Sequence, residues 1–190
     1  AYEVRKEKNE TEFYKDLNNE FYKLSIDNKT ASELGIGAVR GNTATVKTPK
    51  GSAVTVIIDK YKGDSWSDLQ TTIHKKRWPL TKVISKADNR YNCHSYAWYS
   101  QSTGNKYWMN NPIKYMTDGS YRKCSGNAKG NKVTWVFYNG PAIDSVEHSG
   151  IVKEVKGKVV TVESKWGQGP LVSHNLKDSP YKGHNIYYSK

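Results

Sequence analysis

Long apolar runs, cysteine and phenylalanine are all scarce in this chain of 190 residues. No stretch approaches the roughly 18 consecutive apolar residues that a membrane-spanning helix needs, so we expect no transmembrane segment. The two cysteines show no CxxC spacing, and no HExxH motif occurs. The histidines His74, His174 and His184 are scattered without a ligand-like spacing and are expected at the surface. The sequence therefore predicts neither a metal site nor a cofactor.

Positive charge and large polar aromatics, by contrast, are abundant. The formal net charge is +12, and 14 Tyr and 6 Trp accompany only 3 Phe. Such a charge attracts polyanions over a long range, and Tyr and Trp suit wet binding surfaces as well as cores. The expected partner is an anionic bacterial cell-wall polymer or a peptidoglycan peptide. Nucleic acid is not expected as a partner, because no fingerprint of a nucleic-acid-binding fold accompanies the basic residues.

The chain begins at Ala1 without an initiator methionine, as in a mature protein after signal-peptide removal or in a trimmed chain. We therefore expect a secreted or cell-surface bacterial protein. Secretion would place it in an oxidising compartment, where Cys93 and Cys124 can close a disulfide.

The first of two expected regions is residues 1–80, an N-terminal extension or subdomain. Apolar residues at helical spacing predict an amphipathic helix over 9–24. Alternating apolar residues predict a β-hairpin between residues 42 and 58. A short helix is expected over 68–77, and it should stop before Trp78-Pro79, because the residue before a proline avoids the helical region.

The second region, residues 81–190, is the expected thiol hydrolase domain. A segment rich in Gly, Asn, Tyr and Trp predicts a long ordered loop over 103–131. After it, period-two patterns predict strands at 133–138, 145–155 and 158–166. Helices early and strands late favour an α+β fold with an antiparallel sheet, to which the N-terminal helix and hairpin are added.

The stretch YNCHSYAWYS, residues 91–100, raises the question of what Cys93 does. Asn92 is a good N-cap for a helix that Thr103-Gly104 would end, which places Cys93 in the first helical turn. There the helix dipole and unpaired backbone N–H groups favour the thiolate, which is the attacking form of a nucleophilic cysteine. The alternatives are a buried free thiol or a disulfide with Cys124, which would block that chemistry.

A nucleophilic cysteine needs a base, and His148 is the better placed of the two nearest candidates. His94 directly follows Cys93, and neighbours on a helix do not face each other. His148 lies early in a β segment, EHSGIV, where Gly150 leaves room beside the imidazole for a substrate or another backbone.

The third member of a catalytic triad depends on the register of the following hairpin. With a two-residue loop at Lys156-Gly157, Glu163 lies diagonal to His148 on the same face. With a three-residue loop over 156–158, Ser164 occupies that place instead. We favour Glu163, because a carboxylate orients an imidazolium more strongly than a hydroxyl does, and we keep Ser164 as the alternative.

Asn-Cys-His-Ser-Tyr-Ala-Trp at a helix start, followed by His-Ser-Gly-Ile-Val on a strand and a polar residue on the next strand, resembles the NlpC-type and CHAP-type thiol hydrolases. The resemblance covers about residues 88–175. Those papain-like enzymes, mostly bacterial and secreted, cut amide bonds in peptidoglycan. The resemblance implies a cysteine-bearing helix packed on an antiparallel sheet, with Cys93 as nucleophile, His148 as general base and then acid, and Glu163 or Ser164 as the orienting residue.

The resulting expectation is a secreted cysteine-dependent amidase or endopeptidase that hydrolyses stem-peptide or related amide bonds through an acyl-enzyme. Tyr107, Trp108 and Trp166 are the aromatics expected to line its substrate cleft. The alternative is a non-catalytic cell-wall-binding or glycan-binding module, in which the basic, aromatic surface binds the polymer and the cysteines are structural.

Overall fold

The computed structural model of the chain describes residues 42–190. Within that range the protein has an α+β fold with ten strands, two α-helices and one π-helix, and all of its strand pairs are antiparallel. The α+β class with antiparallel sheets, expected from the order of the patterns, is confirmed. The amphipathic helix predicted over residues 9–24 lies outside the described residues.

The predicted N-terminal hairpin is present. Strand β1 (Asn42–Lys47) pairs with β2 (Ala53–Ile58) over its whole length, and Val residues of both strands face inward. Gly51, with a φ of +92°, adopts the left-handed conformation in the connecting turn. The short strand β4 (Trp108–Met109) adds to β2 and completes a three-stranded sheet. The hairpin is therefore joined by strand pairing to the region that follows residue 80.

Helix α1 (Asp64–Arg77) begins four residues before the predicted start at residue 68 and ends where predicted. Gly63, with a φ of +100°, leads into it, and Asp64 places a negative charge at the positive end of the helix dipole. Its polar first turn, DSWS, resembles a loop in sequence, and for this reason the pattern predicts a helix start that is too late. Within residues 42–190 no helix is both long and apolar enough to cross a bilayer.

The remaining strands form the main sheet. They are β3 (Lys82–Ser85), β5 (Arg122–Cys124), β6 (Lys132–Asn139), β7 (Ala142–Lys156), β8 (Val159–Lys165), β9 (Leu171–Asn175) and β10 (His184–Ser189). Their order across the sheet is β3-β9-β8-β7-β6-β10-β5. The three strands predicted from alternation are β6, β7 and β8. The segment predicted as a long loop over 103–131 contains only the short elements β4, β5 and α2 (Ile113–Thr117).

A short helix follows β3 and carries the first cysteine. Residues 93–94 continue into a π-helix over Ser95–Tyr99, which is marked by a 2.9 Å hydrogen bond from the Ser100 N–H to the Ser95 carbonyl. This helix ends at Ser100, earlier than the predicted stop at Thr103-Gly104. We call residues 93–99 the cysteine helix, and it packs on β7 and β8.

Strand alternation gives the seven-stranded sheet two unlike faces. The helix face points toward the cysteine helix and carries the side chains of Ser149, Ile151, Glu163 and Lys165. The opposite side, which we call the histidine face, carries His148, Val152, Val162, Ser164 and His174. The helix face shares one apolar cluster with the N-terminal hairpin, and the histidine face has its own smaller cluster.

The turn between β7 and β8 differs from both predicted loops, Lys156-Gly157 and 156–158. Lys156 pairs with Val159, so the turn residues are Gly157 and Lys158. Gly157 has a φ of +59°, and two-residue hairpin turns need such a left-handed residue at their first position. The loop prediction failed because it placed the glycine second instead of first.

The register beyond this turn shifts at an irregularity beside Lys153. Past that point Ile151 pairs with Glu163, which places Glu163 on the helix face. Ser164 therefore shares the face of His148, and Glu163 does not. The irregularity carries no signal in the sequence, so counting back from the turn led to the wrong residue.

Candidate functional site

Asn92 holds the start of the cysteine helix. Its Oδ1 accepts the N–H of Ser95 (3.2 Å), and its carbonyl accepts the N–H of Tyr96 (3.0 Å). The same amide pairs with the backbone of Met109, donating to its carbonyl at 2.6 Å and accepting its N–H at 3.1 Å. Cys93 therefore lies in the first helical turn, as the capping pattern predicted.

Cys93 is the first residue of the cysteine helix, which packs on β7 and β8. Its side chain is only 6% exposed. Burial raises the pKa of the Cys93 thiol to about 12, and the nearby backbone of Ser149 and His94 opposes that rise. The site thus offers donors to a thiolate but little water.

Both cysteines are free thiols, so the disulfide alternative is not present. Cys124 is half-buried on β5, where its sulfur accepts a hydrogen bond from the Asn131 side-chain amide at 3.4 Å. The two thiols therefore occupy separate surroundings, which makes Cys124 a useful internal control for Cys93.

Ser149 links the cysteine helix to β7 through two buried rings. Its Oγ lies 2.8 Å from His94 Nδ1 and accepts the indole N–H of Trp98 at 3.0 Å. Burial lowers the pKa of His94 to about 4, and a hydrogen bond to the Val146 backbone raises it in part. The ring is therefore neutral at neutral pH, with its proton directed at the carbonyl of Val146, and the Ser149 hydroxyl donates to Nδ1.

Lys165 is completely buried at the end of β8 on the helix face. Its Nζ donates to the backbone carbonyls of Asp88 (2.5 Å), Tyr91 (3.0 Å) and Gly167 (2.6 Å). Burial lowers the pKa of Lys165 to about 7, while the charges of Asp88 and Cys93 raise it in part. The sequence analysis did not select this lysine. Its position on the inward-facing side of an alternating strand could have predicted its burial.

Glu163, the favoured orienting residue, contacts a tyrosine and not a histidine. The Tyr96 hydroxyl donates a short hydrogen bond to its carboxylate, and Lys153 Nζ lies 3.9 Å from the same carboxylate. Burial and this carboxylate both raise the pKa of Tyr96, so the phenol remains a donor. Glu163 therefore ties the cysteine helix to β8.

The imidazole of His148 lies on the histidine face, on the other side of the sheet from the cysteine helix. It is fully buried and stacks on Tyr181, with ring centroids 3.6 Å apart and 6° between the planes. Neither ring nitrogen has a hydrogen-bond partner within residues 42–190. Burial holds the pKa of His148 well below its usual value of 6.5. The structure thus does not join His148 to Cys93.

Ser164, the alternative orienting residue, belongs to a second buried unit. Its Oγ lies 2.8 Å from His174 Nε2 and accepts the indole N–H of Trp166 at 3.0 Å. His174 Nδ1 lies 2.8 Å from the carbonyl of Asn175, so Nδ1 carries the proton and Nε2 accepts from the Ser164 hydroxyl. The hydroxyl is thereby saturated by partners other than His148.

The expectation that scattered histidines lie at the surface is right only for His184. His74 and His174 are buried, with their rings edge-on to Trp166 at centroid distances of 5.1 and 5.2 Å. His74 Nε2 lies 2.8 Å from Thr81 Oγ1. Burial lowers the pKa of both rings to about 4. Aromatic neighbours brought together by the fold, not spacing along the chain, explain their burial.

The aromatics expected to line a cleft occupy different surroundings. Trp108 and Trp166 are 8% and 1% exposed, so their side chains pack in the interior. Tyr107 is half-buried and packs edge-on against Tyr99, with ring centroids 5.4 Å apart. Tyr99 is 41% exposed and ends the cysteine helix. The partly exposed aromatic pair at the end of the cysteine helix is therefore Tyr99 and Tyr107, and the sequence analysis did not name Tyr99.

An open groove of about 660 Å³ lies along the outer part of β7, β8 and β9. It is lined by Lys129, Lys153, Glu154, Val155, Thr161 and Ser173. Thr161 and Ser173 alternate with residues of the histidine face, so this groove runs on the helix face, beside Glu163. The groove holds two lysines and one glutamate, and Lys153 lies 3.9 Å from the Glu163 carboxylate, which Tyr96 joins to the cysteine helix.

Metal ligation and known relatives add no further assignment. Among the residues that the structure describes, no group of three or more His, Cys, Asp or Glu side chains is arranged to hold a metal ion. Comparison of the chain with protein-family models, with curated proteins and with solved structures finds no match.

Proposed function

We propose that the protein is a cysteine-dependent hydrolase of amide bonds, with Cys93 as nucleophile in a papain-like arrangement. The observation that supports this most directly is the place of Cys93 in the first turn of a capped helix on an antiparallel sheet. The backbone of Ser149 and His94, which lowers the pKa of Cys93 against the effect of burial, would stabilise a thiolate, and donors at a helix start can then hold an oxyanion.

In the proposed reaction, the Cys93 thiolate attacks the amide carbonyl carbon, the C–N bond breaks, and the departing amine takes a proton. Water then hydrolyses the acyl-enzyme and restores the thiol. His148 is the proposed proton carrier on the sequence pattern, and this role requires its ring to leave Tyr181 and reach the helix face. Both candidate orienting residues are held by other partners, Ser164 by His174 and Trp166 and Glu163 by Tyr96, so each would have to exchange partners to orient His148.

The proposed substrate is an anionic cell-wall polymer or a peptidoglycan stem peptide outside a bacterial cell. The net charge of +12 would concentrate the protein on such a polymer. The groove with Lys129 and Lys153 lies on the same face as the cysteine helix, and Tyr99 exposes a ring at the end of that helix. A polymer lying in the groove would therefore pass beside Glu163, which Tyr96 joins to the cysteine helix.

A second candidate function is a non-catalytic wall-binding or glycan-binding module. Two observations favour it: burial raises the pKa of Cys93 to about 12, and the His148 ring lies on the opposite face of the sheet. In such a module the groove lysines and Tyr99 would bind the polymer, and Cys93 would be a packed thiol.

Digestion of purified peptidoglycan by the intact protein tests the two functions against each other. Wild type should release new amine groups and soluble peptides, Cys93→Ser should release none, and the matched Cys124→Ser variant should match wild type. His148→Ala should lower kcat by at least about 100-fold if His148 carries the proton. Release of amine groups or soluble peptides by the Cys93→Ser variant would contradict the proposed hydrolase function. Salt-sensitive binding to cell walls without any release by wild type would establish the module.

A further inference from the structure

The open groove on the helix face carries more ammonium groups than its own carboxylates neutralise. Within the described part of the chain, Lys129 makes no ion pair with any carboxylate. Lys153 Nζ lies 3.9 Å from the Glu163 carboxylate, and Glu154 is paired with Lys156 at 3.1 Å. Three lysines therefore face two glutamates, and the exposed positive charge that is left attracts an anion.

Backbone hydrogen bonds place the two groove lysines on neighbouring segments. The Gly130 N–H donates to the Val152 carbonyl at 2.8 Å, and the Val152 N–H donates to the Asn131 carbonyl at 2.9 Å. Lys129 and Lys153 each follow or precede this pairing by one residue, and both side chains line the groove. The fold therefore presents two ammonium groups together at one end of the groove.

A further lysine lies across the sheet from this pair. Lys82 on β3 pairs with Ser173, and Ser173 pairs with Glu163, so their side chains point to the helix face. Lys82 is exposed and makes no ion pair among the described residues. Strands β3 and β7 are three strand spacings apart, about 14 Å, so one small anion cannot contact the lysines at both ends. The arrangement therefore suits a chain that carries repeated negative charges.

The hydrogen-bond donors between these lysines favour phosphate groups. The hydroxyls of Thr161 and Ser173 line the groove and make no hydrogen bond within residues 42–190. Ammonium and hydroxyl groups donate to single oxygens, as phosphates accept, whereas the described residues of the lining include no arginine for bidentate recognition of a planar carboxylate. They also include no aromatic ring, so the bases of a nucleic acid would find nothing on which to stack.

We propose that this groove binds a flexible phosphodiester chain without bases, of the alditol-phosphate kind, which lies across β7, β8 and β9. Its phosphates contact Lys129 and Lys153 at one end and Lys82 at the other, and the hydroxyls of Thr161 and Ser173 donate to the phosphate between them. The proposal rests on the proposed function only in placing the anionic wall polymer in this groove. It narrows that polymer to one chemical class and involves no bond cleavage.

The first test is titration of the intact protein with poly(glycerol phosphate) at several salt concentrations, followed by calorimetry. The double variant Lys129→Gln/Lys153→Gln should bind at least about tenfold more weakly and reduce the slope of log K against log salt by about one to two. The matched variant Lys177→Gln/Lys182→Gln removes two exposed charges from the connection between β9 and β10, and should change the affinity by less than about twofold. Equal losses in the two variants would overturn the proposal, because net charge alone would then explain the binding.

The second test compares ligands of different chemistry. Glycerol phosphate, the single repeat, should bind at least about 100-fold more weakly than the polymer, and Lys82→Gln should weaken binding of the polymer only. Polyglutamic acid and single-stranded oligo(dT) with the same number of charges should each bind at least about tenfold more weakly than poly(glycerol phosphate). Equal affinity for either of these two polymers would overturn the assignment to a base-free phosphodiester.

None of these measurements involves hydrolysis, so the proposal and the proposed function can fail separately. Binding of poly(glycerol phosphate) in the groove without peptidoglycan cleavage would refute the hydrolase and leave the groove proposal standing. Peptidoglycan cleavage by a protein that does not bind poly(glycerol phosphate) would overturn the groove proposal alone.

Discussion

The two faces of the main sheet use the same small hydrogen-bonding unit in different surroundings. In each unit a buried serine hydroxyl lies 2.8 Å from an imidazole nitrogen and 3.0 Å from an indole N–H: Ser149 with His94 and Trp98 on the helix face, and Ser164 with His174 and Trp166 on the histidine face. The Ser149 unit fastens the cysteine helix to β7, and the Ser164 unit links β8 to β9, because a serine can donate to one ring while accepting from the other.

The surroundings of the two units differ in charge. On the helix face with Ser149 lie the thiol of Cys93, the amine nitrogen of Lys165 and the carboxylate of Glu163, and the last two have hydrogen-bond partners. Beside Ser164 lie neutral aromatic rings and His148, whose nitrogens lack partners within the described part of the chain. The comparison indicates that the serine units are structural and that polar chemistry is concentrated on the helix face.

Acid should produce the largest difference between the faces. His94 serves the helix face, whereas His74, His148 and His174 contact the histidine face, and the pKa of each is lowered to about 4 or well below 6.5. Below pH 6.5 the unfolded chain binds protons that the folded protein excludes, so stability falls as the pH drops toward 4. Each such proton lowers the free energy of unfolding by about 1.4 kcal/mol for each pH unit of acidification, and four protons would give a slope of about 5 kcal/mol per pH unit.

Urea unfolding at several pH values between about 7 and 5 measures this slope. His94→Gln and His174→Gln should each reduce it by about one proton. As the pH falls, the near-ultraviolet circular dichroism signal of Trp166 should be lost before that of Trp98. The variants Trp98→Phe and Trp166→Phe identify the signal of each tryptophan. A stability that does not change between pH 7 and 5 would contradict the buried neutral histidines.

Replacement of the two tryptophans should have the next largest effect. Trp98→Ala and Trp166→Ala each remove a buried ring that contacts several others, and each should lower the free energy of unfolding by about 3–5 kcal/mol. Only Trp98→Ala should also alter the alkylation rate of Cys93 under native conditions. Chemical unfolding and iodoacetamide kinetics on both variants, with Trp→Phe as controls, would show whether the faces are independent.

Removal of the serine hydroxyls should cost less. Ser149→Ala and Ser164→Ala each leave an indole N–H and an imidazole nitrogen buried without a partner, and each should lower the free energy of unfolding by about 1–3 kcal/mol. Ser173→Ala, in the open groove, is the matched control and should change stability by less than about 0.5 kcal/mol. If Ser149→Ala and Ser164→Ala change the free energy of unfolding as little as the control does, the structural role of the two serine units is refuted.

The smallest expected change has the opposite sign. His148→Phe replaces two unpartnered nitrogens by carbon in an aromatic site. It should raise the free energy of unfolding by about 1 kcal/mol or less, seen as a slightly higher melting temperature. His174→Phe removes the partner of Ser164 and should lower the free energy of unfolding by about 1–3 kcal/mol. Loss of stability in His148→Phe would reveal an interaction of His148 beyond its ring stacking. Under the hydrolase proposal, His148→Phe is also inactive.

Local patterns in the sequence were sufficient for several elements. The period-two segments located the N-terminal hairpin and strands β6, β7 and β8, and Asn92 correctly marked the start of the cysteine helix. Trp78-Pro79 correctly marked the end of α1. These features depend on residues close to one another in the chain, through alternation, capping and the geometry of proline.

The sequence by itself thus determined the α+β class, the main strands and the position of Cys93 at a helix start. Only the tertiary structure decided which side chains meet there. An irregularity at Lys153 moved Glu163 to the helix face and left His148 on the other, because a shift of one residue reverses every side chain of a strand. Likewise, the environment of Lys165 depends on two carbonyls from a distant segment, those of Asp88 and Tyr91, which meet its nitrogen together with the nearby carbonyl of Gly167.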